Sequence, residues 1–490
     1  MLPSNSAVVI GSGFGGLALA IRLQSAGIAT TIIEARDRPG GRAYCWKREG
    51  YTFDAGPTVI TDPACLAELW ALSGRRMADD VTLKPVDPFY RLLWNDGTRF
   101  DYSNDDTRLE AEIGKLDAYD VEGYHRFLAY SRAVYEEGYV KLGAVPFLNF
   151  QSMMKAAPAL ARHRAWRSVY SVVSSFVRNE KMRQILSFHT LLVGGNPMQT
   201  SSVYALIHHL EKLGGVWCAV GGTNALIDAL ATLFERLGGK LVLNEKVRTI
   251  THSGNRVTGV VTHSGRRFEA DQIASNGDVV GAYAMIEGSN YASRKMSVLK
   301  RKRFSPSLFV VHFGLKGTFS EIAHHSILFS DRYGPLLRDI YKNGSLPEDP
   351  SIYLHNPGAS DGSVAPAGKS AFYALAPVPH LGAGDIDWDL EGARYRRIIV
   401  DRVRALLIPD IDERMEVCFH YTPRDFQADL GAHLGSAFSL EPILTQSAWF
   451  RAHNRDDHFS NLYLVGAGTH PGAGIPGVVG SAKATASLMV

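Results

Sequence analysis

The segment Val8–Leu23, VVIGSGFGGLALAIRL, spaces Gly11, Gly13 and Gly16 as G-x-G-x-x-G between an apolar run and a helical pattern. Few folds accommodate that arrangement. Ala7–Ile10 reads as a buried strand. Leu17, Ala20 and Ile21 recur at helical spacing, and Gly27 stands where a helix C-cap glycine belongs. A second apolar run, Thr30–Ile33, ends in Glu34. Strand, glycine turn, helix and second strand make a βαβ unit, the start of a parallel sheet covered by helices.

Each part of the motif has a physical task. Gly11 permits the tight turn, Gly13 lets the backbone approach a pyrophosphate, and Gly16 lets the helix pack on the strand. Phe14 and Gly15 open the helix, whose free N–H groups and positive dipole end attract phosphate. Glu34, followed by Ala35, is placed to accept hydrogen bonds from a ribose diol. The motif therefore reads as a dinucleotide site, without saying which dinucleotide.

Two further stretches are rich in glycine. EARDRPGGRAY, Glu34–Tyr44, adds a second turn at Gly40 and Gly41 followed by Arg42. NLYLVGAGTHPGAGIPGVVGSAKATASLM, Asn461–Met489, carries six glycines between Gly466 and Gly480, dense enough for close approach to a ligand. Here Leu462–Val465 reads as a strand, Gly466–Gly477 as a loop and Val478–Met489 as a helix. That puts Gly477 and Val478 at a helix N-terminus, which stabilises negative charge.

The 490 residues exceed one simple core, and two or three domains are expected. A net charge of +3 is too small to argue for nucleic acid. The four cysteines, Cys45, Cys65, Cys218 and Cys418, form no C-x-x-C pair, which fits a reducing cytosol better than a disulfide or zinc scaffold. Neither a signal peptide nor a transmembrane run is read.

Along the chain, Gly221–Val247 reads as a helix with Thr223 as N-cap, an apolar stripe of Leu226, Leu230, Leu233 and Leu237, and a strand Lys240–Asn244. Ala270–Asp278 returns a strand to the parallel sheet. Ser307–Leu315, Ser351–His355, Ala371–Pro377 and Met415–Pro423 alternate like strands of a mostly antiparallel sheet. Between them lies a largely helical region. Its stretch Gln151–Arg183 carries Lys155, Arg162, Arg164, Arg167, Arg178, Lys181 and Arg183 against Glu180, interleaved with Met153, Met154, Trp166 and Phe176. Such a composition suits a membrane interface, and equally a solvated basic helix or a groove for an acidic partner.

These segments resemble the bacterial-type phytoene desaturases, carotenoid desaturases of the flavin amine oxidase superfamily. RDRPGGRAY belongs to the wider superfamily, whereas LTQSAWFRAHNR and GAGTHPGAGIPGV are more specific; Ala452 departs from an expected proline. The resemblance implies an α/β fold. A Rossmann-like FAD-binding domain would comprise residues 1–80, 216–290 and 455–490. A mixed or antiparallel substrate domain would comprise 81–120 and 303–454, and a helical membrane-associating region 121–215. It implies FAD as cofactor, with Gly41, Arg42, Gly56, Pro57, Val247, Gly466, Gly468, Gly477 and Val478 joining Gly11, Gly13, Phe14, Gly15, Gly16, Glu34 and Ala35 around it. It further implies a carotene hydrocarbon substrate taken stepwise toward lycopene or a less desaturated carotene, and a membrane lipid surface as partner. The electron acceptor would be a quinone or dioxygen. The expected location is cytoplasmic, peripheral to the cell membrane, with a homo-oligomer among the arrangements allowed.

Removing two hydrogens from an allylic CH2–CH2 unit needs positioning in a dry site rather than a strong nucleophile. No catalytic residue is assigned. Asp54 and His189 are considered as proton acceptors, but Asp54 reads better as a loop cap and His189 as a packed residue. His208-His209 and His324-His325 lack the partners of a metal motif, so no metal is expected. Amine oxidation, carotene isomerisation and non-catalytic carotenoid binding are the rival readings.

Overall fold

The computed structural model describes residues 5–490. Its first sheet is five-stranded and wholly parallel. The strands lie in the order Leu462–Leu464, Gln272–Ser275, Ser6–Ile10, Ala29–Ile33 and Lys240–Val242. The sheet is thus assembled from separated stretches of chain, as expected. Helix Phe14–Ser25 packs against helices Thr223–Arg236 and Ile475–Met489. Every residue from Phe14 to Leu23 is buried, which marks a helix enclosed on every side, and Leu17, Leu19, Ile21 and Leu23 are fully buried.

Three boundaries differ from expectation. The last helix begins at Ile475, so Gly477 and Val478 lie inside its first turn. Pro476 is tolerated there because a first-turn N–H has no partner within the helix. Thr223 is not the N-cap; Gly222 is, at φ 85°, where glycine is favoured. The strand from Lys240 stops at Val242, and Asn244 turns left-handed at φ 58°.

The second sheet has seven strands: Met415–Tyr421, Ser307–Lys316, Lys369–Val378, Ile352–His355, His325–Leu328, Tyr90–Leu93 and Arg99–Tyr102. All neighbours are antiparallel except His325–Leu328 with Tyr90–Leu93, so the sheet is mixed. Strand His325–Leu328 was not anticipated. It is buried on both faces and shows no alternation to read. Trp217–Ala219 pairs with Leu83–Pro85 where the two sheets' cores meet. Val216 and Cys218 join one core while Trp217 and Ala219 join the other.

The helical region contains Asp120–Tyr135, Phe150–Arg162 and Leu206–Gly214 with shorter turns between. Its basic stretch is not one face. The chain reverses at Arg164, φ 52°. The Arg167 guanidinium donates to the Ser171 carbonyl at 2.6 Å. Lys181 pairs with Asp96 and Arg183 with Glu180. Lys155, Arg162, Arg164 and Arg178 stay exposed. Among the described residues no helix is long and apolar enough to cross a membrane.

The first strand and first helix meet through a single atom's clearance. A Cβ on Gly16 would lie 2.0 Å from the carbonyl oxygen of Gly11, a backbone atom that cannot swing aside. Gly16→Ala is expected to cost about 1–3 kcal/mol or more. Gly114, exposed in helix Asp106–Leu116 with open space around it, gives the opposite sign. Gly114→Ala should gain about 0.5–1 kcal/mol. Thermal unfolding midpoints of the two variants against wild type check both signs.

Candidate active site

A cavity of about 950 Å³ opens along the carboxyl edge of the parallel sheet and continues between the second sheet and the helical region. The parallel-sheet end is lined by Gly11, Gly13, Phe14, Gly15, Glu34, Ala35, Gly41, Arg42, Gly56, Pro57, Val247, Gly468, Gly477 and Val478. Ligands of open parallel sheets bind at this edge. Gly16 and Gly466, also expected at the cofactor, do not line the cavity. Gly16 abuts Gly11, and Gly466 abuts the Asn276 side chain, where a Cβ would lie 2.5 Å from Nδ2. Their smallness serves packing behind the site.

The wall fits a dinucleotide. Helices Phe14–Ser25 and Ile475–Met489 both start at glycines, with no side-chain cap and no acidic residue in the first turn. Their free N–H groups and dipole ends are left for phosphate and for negative charge on a ring. Glu34 is buried and held by the Ser12 N–H (2.8 Å), the Ser12 hydroxyl (2.6 Å) and the Arg36 N–H (3.0 Å). Its carboxylate is therefore positioned before any ligand arrives. Arg42 Nε and Asp278 Oδ2 are buried without partners, and both residues line the cavity. Burial lowers the Arg42 guanidinium pKa, with Asp278 opposing that effect.

Asp54 does not line the cavity. Its carboxylate accepts the N–H groups of Thr223 (3.0 Å) and Asn224 (3.3 Å), capping helix Thr223–Arg236 from a distant strand. Burial pushes its pKa up to about 6 despite those two donors. His189 does line the cavity. Its Nε2 lies 3.0 Å from Glu211 Oε2, while the Tyr90 hydroxyl donates to Glu211 Oε1 at 2.6 Å. Glu211 was missed in the sequence, where HHLEKLGG looks like an ordinary amphipathic helix. Asn276 was missed too. It lines the cavity and donates to the Val465 carbonyl at 3.1 Å.

The model of the flavin containing amine oxidoreductase family matches residues 14–490. The chain belongs to that family. It is an FAD-dependent oxidoreductase. A phytoene desaturase (lycopene-forming) from Paracoccus sp. is 57% identical over 488 residues, covering 99% of this chain and 97% of that one. A phytoene desaturase (neurosporene-forming) from Rhodobacter capsulatus is 39% identical over 489 residues, covering 99% and 93%. Among solved structures, putrescine oxidase superposes with TM-score 0.67 at 15% identity over 99% of both chains, which shows a shared fold.

The Asp54 carboxyl makes stability depend on pH. Its native pKa of about 6 exceeds the ordinary aspartate value of 3.8, so the native state binds more protons between those values. The favourable contribution is full below pH ~4 and is lost as pH rises through ~6, about 3 kcal/mol in all. Asp54→Asn should flatten this part of the stability–pH curve. Urea unfolding of both proteins at pH 4.5 and pH 7 reads the difference.

Proposed function

We propose that this chain desaturates phytoene to lycopene. The observation that carries the reading is one continuous cavity joining a dinucleotide cradle to an apolar chamber, in a chain 57% identical to a lycopene-forming desaturase. Bound FAD supplies the hydride acceptor. The chamber wall, including Phe188, Leu191, Leu192, Ile207, Leu210 and Leu375, offers a hydrocarbon dispersion contacts and excludes water. Orientation along such a wall is most of what the reaction asks of the protein.

The second hydrogen leaves as a proton, and His189 with Glu211 is the buried acid–base pair on that wall. His189 Nδ1 has no partner, and Glu211, anchored by Tyr90, can stabilise the imidazolium formed when it takes a proton. Anaerobic addition of phytoene liposomes should bleach the flavin and yield lycopene on extraction, whereas amines leave the flavin oxidised. Glu211→Gln should lower kcat by about 10²–10⁴ and shift its pH profile at unchanged flavin content. Unchanged kcat would remove the pair from the reaction.

A C40 hydrocarbon resides in the bilayer, so the reading includes a peripheral membrane surface. Helix Phe150–Arg162 supports it. Met153, Ala156 and Leu160 line the cavity, while Phe150, Met154, Lys155 and Arg162 face outward, with Arg164 and Trp166 just beyond. This helix stands between chamber and exterior, with apolar groups for the acyl boundary and cations for anionic headgroups. Four free cysteines support a location on the cytoplasmic side, and a quinone or dioxygen would complete the cycle. Lys155→Glu, Arg162→Glu and Arg164→Glu combined should weaken flotation with anionic liposomes, more so at low salt. Arg167 is left intact because it braces Ser171. Wild-type flotation and turnover by the triple variant would place the membrane surface elsewhere.

A further inference from the structure

His324, His325 and His355 converge in the second sheet, outside the cradle. His325 and His355 sit opposite each other in antiparallel register, and His324 precedes His325. All three are buried, and one ring nitrogen from each lies within 4.8 Å of the other two. His324 Nε2 and His355 Nε2 are 3.1 Å apart. The sequence showed only the adjacent pair; the third histidine comes from the facing strand, 30 residues further along the chain.

The outer nitrogens are already engaged. His324 Nδ1 lies 2.9 Å from the Ser360 hydroxyl, and His325 Nδ1 lies 2.7 Å from the Tyr353 hydroxyl. Such bonds to one ring nitrogen orient the other toward a metal. His325 Nε2 is buried without a partner, an arrangement that costs free energy unless something fills it.

We propose that His324, His325 and His355 bind a divalent late transition metal, with zinc as the reference ion, through their Nε2 atoms. With Zn–N bonds of 2.0–2.1 Å, tetrahedral ligand nitrogens stand about 3.3 Å apart. The His324–His355 pair is near that spacing, and a modest closure brings in the third. Burial depresses the basicity of all three rings. Asp361, whose charge acts on His324, offsets part of the ion's charge, and a bound water or hydroxide completes the shell. The Tyr353 hydroxyl also lies 3.0 Å from Thr58 Oγ1, and both residues line the cavity. The ion thereby fixes the wall of the substrate chamber and acts through position.

The test uses the flavin-loaded protein. After dialysis against zinc chloride and gel filtration, wild type should retain one zinc per chain by elemental analysis. X-ray absorption should show a first shell of imidazole nitrogen and oxygen without sulfur. His325→Ala and His355→Ala should abolish stoichiometric zinc, and exposed His458→Ala should retain it, all with wild-type flavin content. Tyr353→Phe should weaken zinc about 10–100-fold. Zinc-free wild type, a sulfur-containing shell, or stoichiometric zinc in both alanine variants would each overturn the proposal. The absorption spectrum is taken on wild type, so it decides even where a variant fails to fold.

Discussion

Four glycines give way to one side chain. Cβ atoms on Gly13, Gly15, Gly16 and Gly466 would lie 2.5–3.1 Å from the Asn276 carboxamide, and one on Gly11 would touch its Cβ. Asn276 ends the strand Gln272–Ser275, its N–H bonded to the Ile10 carbonyl and its Nδ2 to the Val465 carbonyl. Three remote stretches of chain are thereby gathered at the sheet edge by one amide. The glycine motif is thus only partly about phosphate. Much of its smallness makes room for this amide, and the cradle's shape depends on it.

Electrostatics follow from that gathering. Two helices begin at glycines and face one cavity with their first N–H groups free. A third, Thr223–Arg236, is instead closed by Asp54. The difference sorts helix ends into those that offer positive potential and one that has been neutralised. Glu34, tied by three hydrogen bonds, adds a fixed acceptor beside the open pair.

What could be read in the sequence was whatever is local. Gly11 to Gly16, the strand ending at Glu34, and the glycine-rich stretch from Gly466 announce themselves by spacing, and the cavity collects most of the residues expected there. Partners set by tertiary contact could not be read. Asp54 meets Thr223 across 169 positions, Glu211 meets His189 from a different turn, and His355 meets His324 only because two strands pair. Strand His325–Leu328 escaped notice because burial on both faces erases alternation. The basic stretch misled for a related reason: charge counted along the chain does not reveal that Arg167 folds back onto Ser171.

The parallel sheet takes its edge strand from Leu462–Leu464, and helix Ile475–Met489 covers the helix that opens at Phe14. During synthesis the first βαβ unit therefore emerges with its central strand unpaired on one side and its helix uncovered. The strand gains its second neighbour with residues 272–275, and the helix, partly covered by residues 223–236, is fully covered only with 475–489. The first βαβ unit alone thus holds only half of the nucleotide cradle, with apolar surface uncovered. A closed cradle therefore needs residues 462–489 as well as the first βαβ unit, so removing helix Ile475–Met489 would open the site from behind.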